Sequence, residues 1–361
     1  MSDEKKTVSV GFAAIDPYVE SNIVTPEEKR QNGKDFYFWG VRNNYPDYLA
    51  GLYADCATLH SVVDGTRDYI AGNGAVCQRP LQGRFMNRKS QTAHELVKAV
   101  ARDSVMYGGF AFQVIRDKLG QVCEVYPVSL RYLRSDKEGE LFWYSEKWTG
   151  GYGKTDAVRY PKFIPDSREP ASILYVKGDV DSVYPQPMWC AAVKSCEIER
   201  SIDEFHINNL ANGFMGSYVI NFNNGQPTDE VKKEIEKDVN EKFCGTGNAG
   251  RVMLSFNDNK ESAVTLQKME ISDYSDKYGA ITDSVRQKIF TAFRANENLF
   301  GIPTASGFNS EEYEASFKLF NRTVVRPMQQ SICYAFDRII GMDNSLSIDP
   351  FSLTDTDSNV Q

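Results

Sequence analysis

From residue 228 to 243 the chain reads TDEVKKEIEKDVNEKF. Val231, Ile235, Val239 and Phe243 recur there at helical spacing, and charged residues fill the other faces. Thr228 can cap the first turn, so the pattern predicts a helix over 228–243. At 251–256, RVMLSF, the period changes: a short apolar, β-prone run lies between Gly250 and the polar residues 257–260 and reads as a strand. SYVINFN at 217–223 reads as another, followed by the turn residues NGQP. Together these elements predict a β-α-β insert.

Long helical patterns flank the insert. PMWCAAVKSCEIERSIDEFHINNLANG, 187–213, carries Pro187 in its first turn and stops at Asn212 and Gly213. After a strand at 263–269, AVTLQKM, a second helix places Tyr274, Tyr278, Ile281, Val285, Ile289 and Phe293 on one face and ends where Gly301 and Pro303 break it. A third starts at Asn309 or Ser310, with Glu311 and Glu312 suiting its positive end. Its stripe is Tyr313, Phe317, Phe320, Val324, Met328, Ile332, Ala335 and Ile339. Pro327 lies inside it, removes a backbone donor and clashes with the preceding turn, which predicts a kink there. Stripes on all three helices are more extensive than a monomer of this layout needs.

The first half is less regular. The first 50 residues read as an irregular arm whose aromatics, Phe36, Tyr37, Phe38, Trp39, Tyr45 and Tyr48, staple it to its own core or to a neighbouring subunit. Residues 54–74 read as a helix closed by Gly72 and Gly74, and 90–109 as another closed by Gly108 and Gly109. Strands at 110–117, 121–130, 141–148, 157–163 and 173–179 predict one small meander sheet. The last stretch, 340–361, has Asp343, Asp349, Asp355 and Asp357 but no Lys or Arg, and reads as a solvated, loosely ordered tail.

Composition narrows the chemistry. The 361 residues include 41 Lys plus Arg against 49 Asp plus Glu, a formal net charge of −8, so no overall basic field draws nucleic acid and any DNA contact is local or loose. No apolar run approaches the roughly 20 residues that cross a bilayer, and no membrane contact is expected. Seven scattered cysteines without a CxxC pair fit reduced thiols and a cytoplasmic setting. The three histidines lack metal spacing, so no metal is expected.

Two glycine motifs raise the possibility of a nucleotide cofactor, and both fail. Gly245, Gly247 and Gly250 have dinucleotide-fingerprint spacing, but here a helix enters the glycines and a strand leaves. A helix C-terminus presents carbonyls and the negative end of its dipole, which repels phosphate. GGYGKT at 150–155 has Trp148 where a phosphate loop needs its first glycine, and it joins two strands, so it reads as a hairpin loop. No cofactor and no catalytic residue are expected, and a nucleotide-binding enzyme is the weaker alternative.

The succession YPQPMWCAAVKSCEIERS, LANGFMGSYVINFNNGQPTDE, CGTGNAGRVMLSF and DKYGAITDSVRQKIFTAFRANENLFGIPTASGFNSEEYEASFKLFNRTVVRPMQQSI resembles the portal, or connector, proteins of tailed bacteriophages. NNYPDYLAGLYADCATLHSVVDGTRDYIAGNG and DSVMYGGFAFQVIRDKLGQVCEVYPVSLRYLR follow the family's N-terminal pattern more weakly. The resemblance covers 44–340 and lies in the order of the motifs. It implies an α+β portal fold: an arm and wing at 1–185, a stem helix at 186–213, a clip at 214–259, a strand and second stem helix at 260–298, a channel loop at 299–309, a kinked wing helix at 310–340, and an acidic tail at 341–361 in place of a crown. A related phage head-tail component, an adaptor or tail subunit, is the other structural alternative.

The resemblance further implies a ring of about twelve copies at one capsid vertex, through which DNA is packaged and ejected. Its partners would be further copies of itself, the major capsid protein, a scaffold, the terminase large subunit, the head-tail adaptor and double-stranded DNA in weak contact. The setting would be the virion, after assembly in the host cytoplasm. The narrowing of the channel falls on Thr304, Ala305, Ser306, Gly307, Phe308 and Asn309, a stretch without charge that can touch DNA and release it. A plain helix-helix connector reads equally well there. The clip docking surface falls on Asp229, Glu230, Lys232, Lys233, Glu236 and Lys237, mixed charges that suit partner choice and also suit an ordinary solvated helix face.

Overall fold

The computed structural model of the chain describes residues 24–30, 35–148, 157–178, 181–211, 218–222, 228, 230–233, 235, 252–256, 272–302 and 310–351. They fall into two units, one within Glu199–Thr282 and the other within Ile23–Ile198 and Asp283–Gln361.

The larger unit opens with strands β1 (Glu28–Arg30) and β2 (Tyr37–Trp39), paired antiparallel. Helices α1 (Tyr45–Asp55) and α2 (Ala57–Ala71) follow, and α1 corrects the expectation of an irregular stretch there. Pro46 sits in its first turn, and Leu49 and Leu52 are fully buried, so the helix is held by tertiary burial more than by propensity. Cys56 separates the two helices: its N–H donates to Leu52 O at 2.9 Å and its Sγ accepts the Leu59 N–H at 3.4 Å. Helix α3 (Ala93–Tyr107) starts in a capping box between Thr92 and Glu95. It ends at Gly108, where φ is +83° and an added Cβ would lie 2.1 Å from Gln186 O.

Two three-stranded sheets replace the expected single meander. In one, β4 (Gly109–Arg116) lies between β5 (Val122–Val128) and β9 (Ala171–Lys177), antiparallel to both. In the other, the order is β6 (Leu133–Ser135), β7 (Leu141–Tyr144), β8 (Val158–Pro161). The reason is burial. Strand β4 hides Phe110, Ala111, Phe112 and Val114, and takes as its second neighbour the similarly apolar β9, with Phe112 opposite Leu174, rather than the exposed β8. The loop GGYGKT lies outside the described residues, but the strands around it, β7 and β8, pair antiparallel, with Tyr144 opposite Val158.

A 3₁₀ turn at Cys190–Ala192 leads into α4 (Val193–Ala211), which therefore begins later than Pro187. Trp189 causes the delay: fully buried, it donates its indole N–H to Val105 O at 3.0 Å, which commits it to the core instead of a first helical turn. Helix α5 (Ser272–Ala292) also stops short of the expected 298. Arg294 turns the chain with φ +54°, and Glu297–Phe300 forms a separate 3₁₀ turn. The expected strand at 263–269 lies outside the described residues.

Helices α6 (Ser310–Phe320) and α7 (Arg326–Ile340) are joined by a π-helical segment, Asn321–Val325. The irregularity thus falls just ahead of Pro327, which occupies the first turn of α7, where a missing N–H is harmless. The Arg326 N–H reaches back to Asn321 O, and the Thr323 hydroxyl donates to Leu319 O at 2.8 Å. The expected loose tail is corrected as far as Phe351. Strand β12 (Leu346–Asp349) pairs antiparallel with β3 (Gly74–Cys77), Leu346 is buried, and Asp337 accepts both the N–H and the hydroxyl of Ser345. Asp343 and Asp349 do not prevent docking, because the strand needs only its backbone and alternate apolar side chains.

In the smaller unit, β10 (Tyr218–Phe222) and β11 (Val252–Phe256) pair parallel, with Tyr218 opposite Val252 and Phe222 opposite Phe256. Parallel neighbours require a crossover, and residues 230–233 and 235 between them are helical.

Candidate functional site

Helices α4 and α5 meet inside the smaller unit. The rings of Phe205 and Tyr278 stack at 5.2 Å and 28°, and His206 stands edge-on to Tyr278 at 5.6 Å. Around this contact Phe205, Ile207 and Ile281 remain 41%, 64% and 43% exposed. In the larger unit the same helices are anchored: Val193 and Cys196 of α4 and Val285 and Ile289 of α5 are buried, and Phe293 stacks on Trp189 at 6.5 Å and 7°. The stripe expected on α5 therefore divides, with Val285, Ile289 and Phe293 in the core and Ile281 facing solvent. A helical period reports which residues share a face and not what covers that face.

The channel-loop residues Thr304, Ala305, Ser306, Gly307, Phe308 and Asn309 lie outside the described residues, and the described part is the root from which the loop springs. Tyr69 donates its hydroxyl to Leu299 O at 2.8 Å. Phe300 is wedged edge-on against Tyr69, Phe290 and Phe320, and fills the space over Gly65, where an added Cβ would come within 2.6 Å of its ring. Arg286 of α5 bridges Asp283 at 3.0 Å and Glu297 at 3.3 Å, and the Asn296 amide donates to the Ser316 hydroxyl of α6 at 3.2 Å. Gly301 then turns the chain with φ +77°.

Of the six clip residues, Glu230 and Lys233 are exposed and Lys232 is half-buried, on the helical stretch that starts with the Lys232 N–H donating to Thr228 O at 3.0 Å. Asp229, Glu236 and Lys237 lie outside the described residues. Among the described residues no group of three His, Cys, Asp or Glu could hold a metal ion, and no helix is long and apolar enough to cross a membrane.

Sequence reasoning missed the polar interior of the larger unit. Arg134 is fully buried, hydrogen-bonded to Asn43 Oδ1 and to the carbonyls of Asn43, Arg131 and Leu133, and it lies 4.9 Å from the Trp148 ring centroid. Burial lowers its pKa to about 10. Next to it the aromatic arm is tied to its own subunit: Trp39 stacks on Tyr184 at 4.6 Å and 4°, and the Tyr184 hydroxyl donates to Tyr37 O and accepts the Ser135 N–H. Asp103 accepts the Leu130 N–H at 2.7 Å and the Ser129 hydroxyl at 3.3 Å, and burial pushes its pKa up to about 7. A single Arg in a strand or a single Asp in a helix leaves no periodic signal.

Residues 82–359 match the family model described as phage portal protein. The chain belongs to the phage portal protein family. It is 21% identical over 255 residues to a probable portal protein of Haemophilus phage HP1, covering 70% of this chain and 71% of that one. Its fold is similar to a chain in the neck of a native gene transfer agent particle computed with C12 symmetry, at TM-score 0.54 and 16% identity, over 84% of this chain and 83% of that chain. It is similar too to an HK97-family phage portal protein from Corynebacterium diphtheriae, at TM-score 0.50 and 14% identity, covering 83% and 94%. A portal-family chain is a structural component of the virion. The mixed helix-and-sheet architecture is that of the family.

Proposed function

We propose that this portal-family chain assembles head to tail into a closed ring at one capsid vertex, and that the ring is the passage for DNA during packaging and ejection. The observation that carries the reading is the exposure of Phe205, Ile207 and Ile281 on two long helices. Large apolar side chains left exposed along two helices that meet at Phe205 and Tyr278 mark a surface that another chain covers, and a heterologous contact that closes on itself gives a ring. The uncharged loop 304–309 narrows that passage, presenting Thr304, Ala305, Ser306, Gly307, Phe308 and Asn309 to the duplex without a cation to hold phosphate. The braced root at Leu299 and Phe300 gives the loop a fixed base.

The β-α-β insert is the exposed end, and it meets the terminase motor during filling and the tail adaptor afterwards. Glu230, Lys232 and Lys233, with Asp229, Glu236 and Lys237, supply the mixed charge that governs partner choice. The wing meets the major capsid protein and, during assembly in the host cytoplasm, a scaffold. The chain acts by assembly, without a catalytic step of its own. Negative-stain images and native mass spectrometry of the purified protein test the ring. Annular particles with a central hole are expected; monomers and dimers alone, at high concentration and with capsid and scaffold proteins added, overturn it.

A further inference from the structure

The wing carries a trough that the ring-and-channel reading leaves unused. Two adjoining cavities of about 530 and 550 Å³ share the wall formed by Pro127, Val128, Ser129 and Tyr132. One lies between α1 and α3, and the other runs across β4 and β5 to Tyr144 and Tyr160. Three cations stand over tyrosine rings along them: Arg102 at 5.0 Å from Tyr53, Arg131 at 5.6 Å from Tyr132, and Lys89 at 5.7 Å from Tyr126.

What marks the trough is that its cations stand over tyrosine rings beside the two cavities. Arg131 pairs with Asp47 at 2.6 Å, but Arg102 and Lys89 are exposed and have no ion-pair partner among the described residues. Elsewhere in the unit Arg67 is paired with Asp64, Lys162 with Glu140 and Arg286 with Glu297. The floor carboxylate, Asp103, is already engaged by Leu130 and Ser129. On a chain of net charge −8 the trough is thus a local positive surplus lined by tyrosine and arginine, the residue types that dominate binding hot spots. Seating a cation on an aromatic face also restricts the rotamers it would otherwise lose on binding.

We propose that this trough docks an extended acidic peptide segment of another protein, with its carboxylates on Arg102 and Lys89 and its backbone along Tyr132, Tyr144 and Tyr160. Two cavities in a row with a cation at each end suit a strand-like or polyproline segment, the conformations that aromatic grooves accept. A duplex suits them less well, since its phosphates lie on a convex rod and these cations border a concave trough.

Fluorescence anisotropy on the full-length protein, with a labelled peptide of repeated Asp-Pro-Tyr units, tests the proposal. Binding is expected to weaken with salt and to fall at least about tenfold in Arg102→Glu and in Lys89→Glu. It should be unchanged in Lys137→Glu, an exposed cation that lines neither cavity. All three positions are surface-exposed, and thermal unfolding of each variant checks that the fold is retained. Several results would overturn the proposal. They are no binding up to about 1 mM, equal binding of the peptide with Lys in place of Asp, and equal binding to Arg102→Glu and Lys89→Glu. Displacement by short duplex DNA would make the site a nucleic-acid site. Binding to monomers but not to assembled rings would make the occupant a neighbouring copy.

Discussion

The two units of this chain treat their aromatic residues in opposite ways. In the larger unit, Trp39, Tyr45, Trp189, Phe112 and Phe336 are buried in one continuous core, and even an arginine, Arg134, is enclosed, hydrogen-bonded to the Asn43 side chain and three carbonyls and set beside the Trp148 ring. In the residues within Glu199–Thr282, Phe205 stacks on Tyr278 yet stays 41% exposed, and Ile207 on the same helix is 64% exposed. The larger unit buries a continuous core but also leaves Val76, Leu119, Leu319 and Tyr334 well exposed, so both units carry apolar surface of the kind that partners cover. Substitutions in the buried core and at the exposed Phe205 side chain therefore test folding and assembly separately.

The largest effect falls on the larger unit. Trp189→Ala removes a fully buried indole together with its hydrogen bond to Val105, and is expected to cost about 4 kcal/mol in urea unfolding. A cost near that of a surface substitution would dissolve the contrast between the units.

The pH dependence comes next. The Asp103 carboxyl has a native pKa of about 7 against an ordinary 3.8, so between these values the native state binds more protons than the unfolded chain. Its contribution to stability is fully present below about pH 4 and is lost as pH rises through 7. Relative to Asp103→Asn, which does not titrate, wild type should lose about 4 kcal/mol across that window, at about 1.36 kcal/mol per unit. Parallel pH profiles would show that Asp103 is solvated instead.

Smaller changes in stability should carry larger consequences for assembly. Pro327→Ala is expected to leave the subunit folded, let the π segment revert toward regular helix and disturb ring geometry. Unchanged rings and full packaging would remove Pro327 as its cause. The double variant Phe205→Ser, Ile207→Ser should cost a subunit about 1 kcal/mol or less while abolishing rings in negative stain. Intact rings would show that the exposed apolar residues serve something other than neighbours.

The smallest change in stability, about 0.5 kcal/mol or less per site, is expected for Lys232, Lys233 and Lys237 all changed to Glu. Rings should form normally and heads should be empty or tailless. Full infectious particles from this variant would return the clip helix to an ordinary solvated face.

The sequence by itself determined the local elements whose causes are local. Thr92 and Glu95 cap α3 because a capping box needs only four consecutive residues. Gly108 ends that helix because only glycine adopts φ +83° without strain. The parallel insert was legible for the same reason, as strand, helix and strand each announce their own period. The order of these elements was enough to recognise the family. Tertiary structure alone decided which strand β4 takes as its second neighbour, that Tyr45–Asp55 is helical, that Trp189 leaves the α4 helix for the core, and that an acidic tail docks as β12. Each of those outcomes depends on apolar area contributed by residues distant in the chain, and burial against a distant partner outweighs a local preference of a few tenths of a kcal/mol per residue.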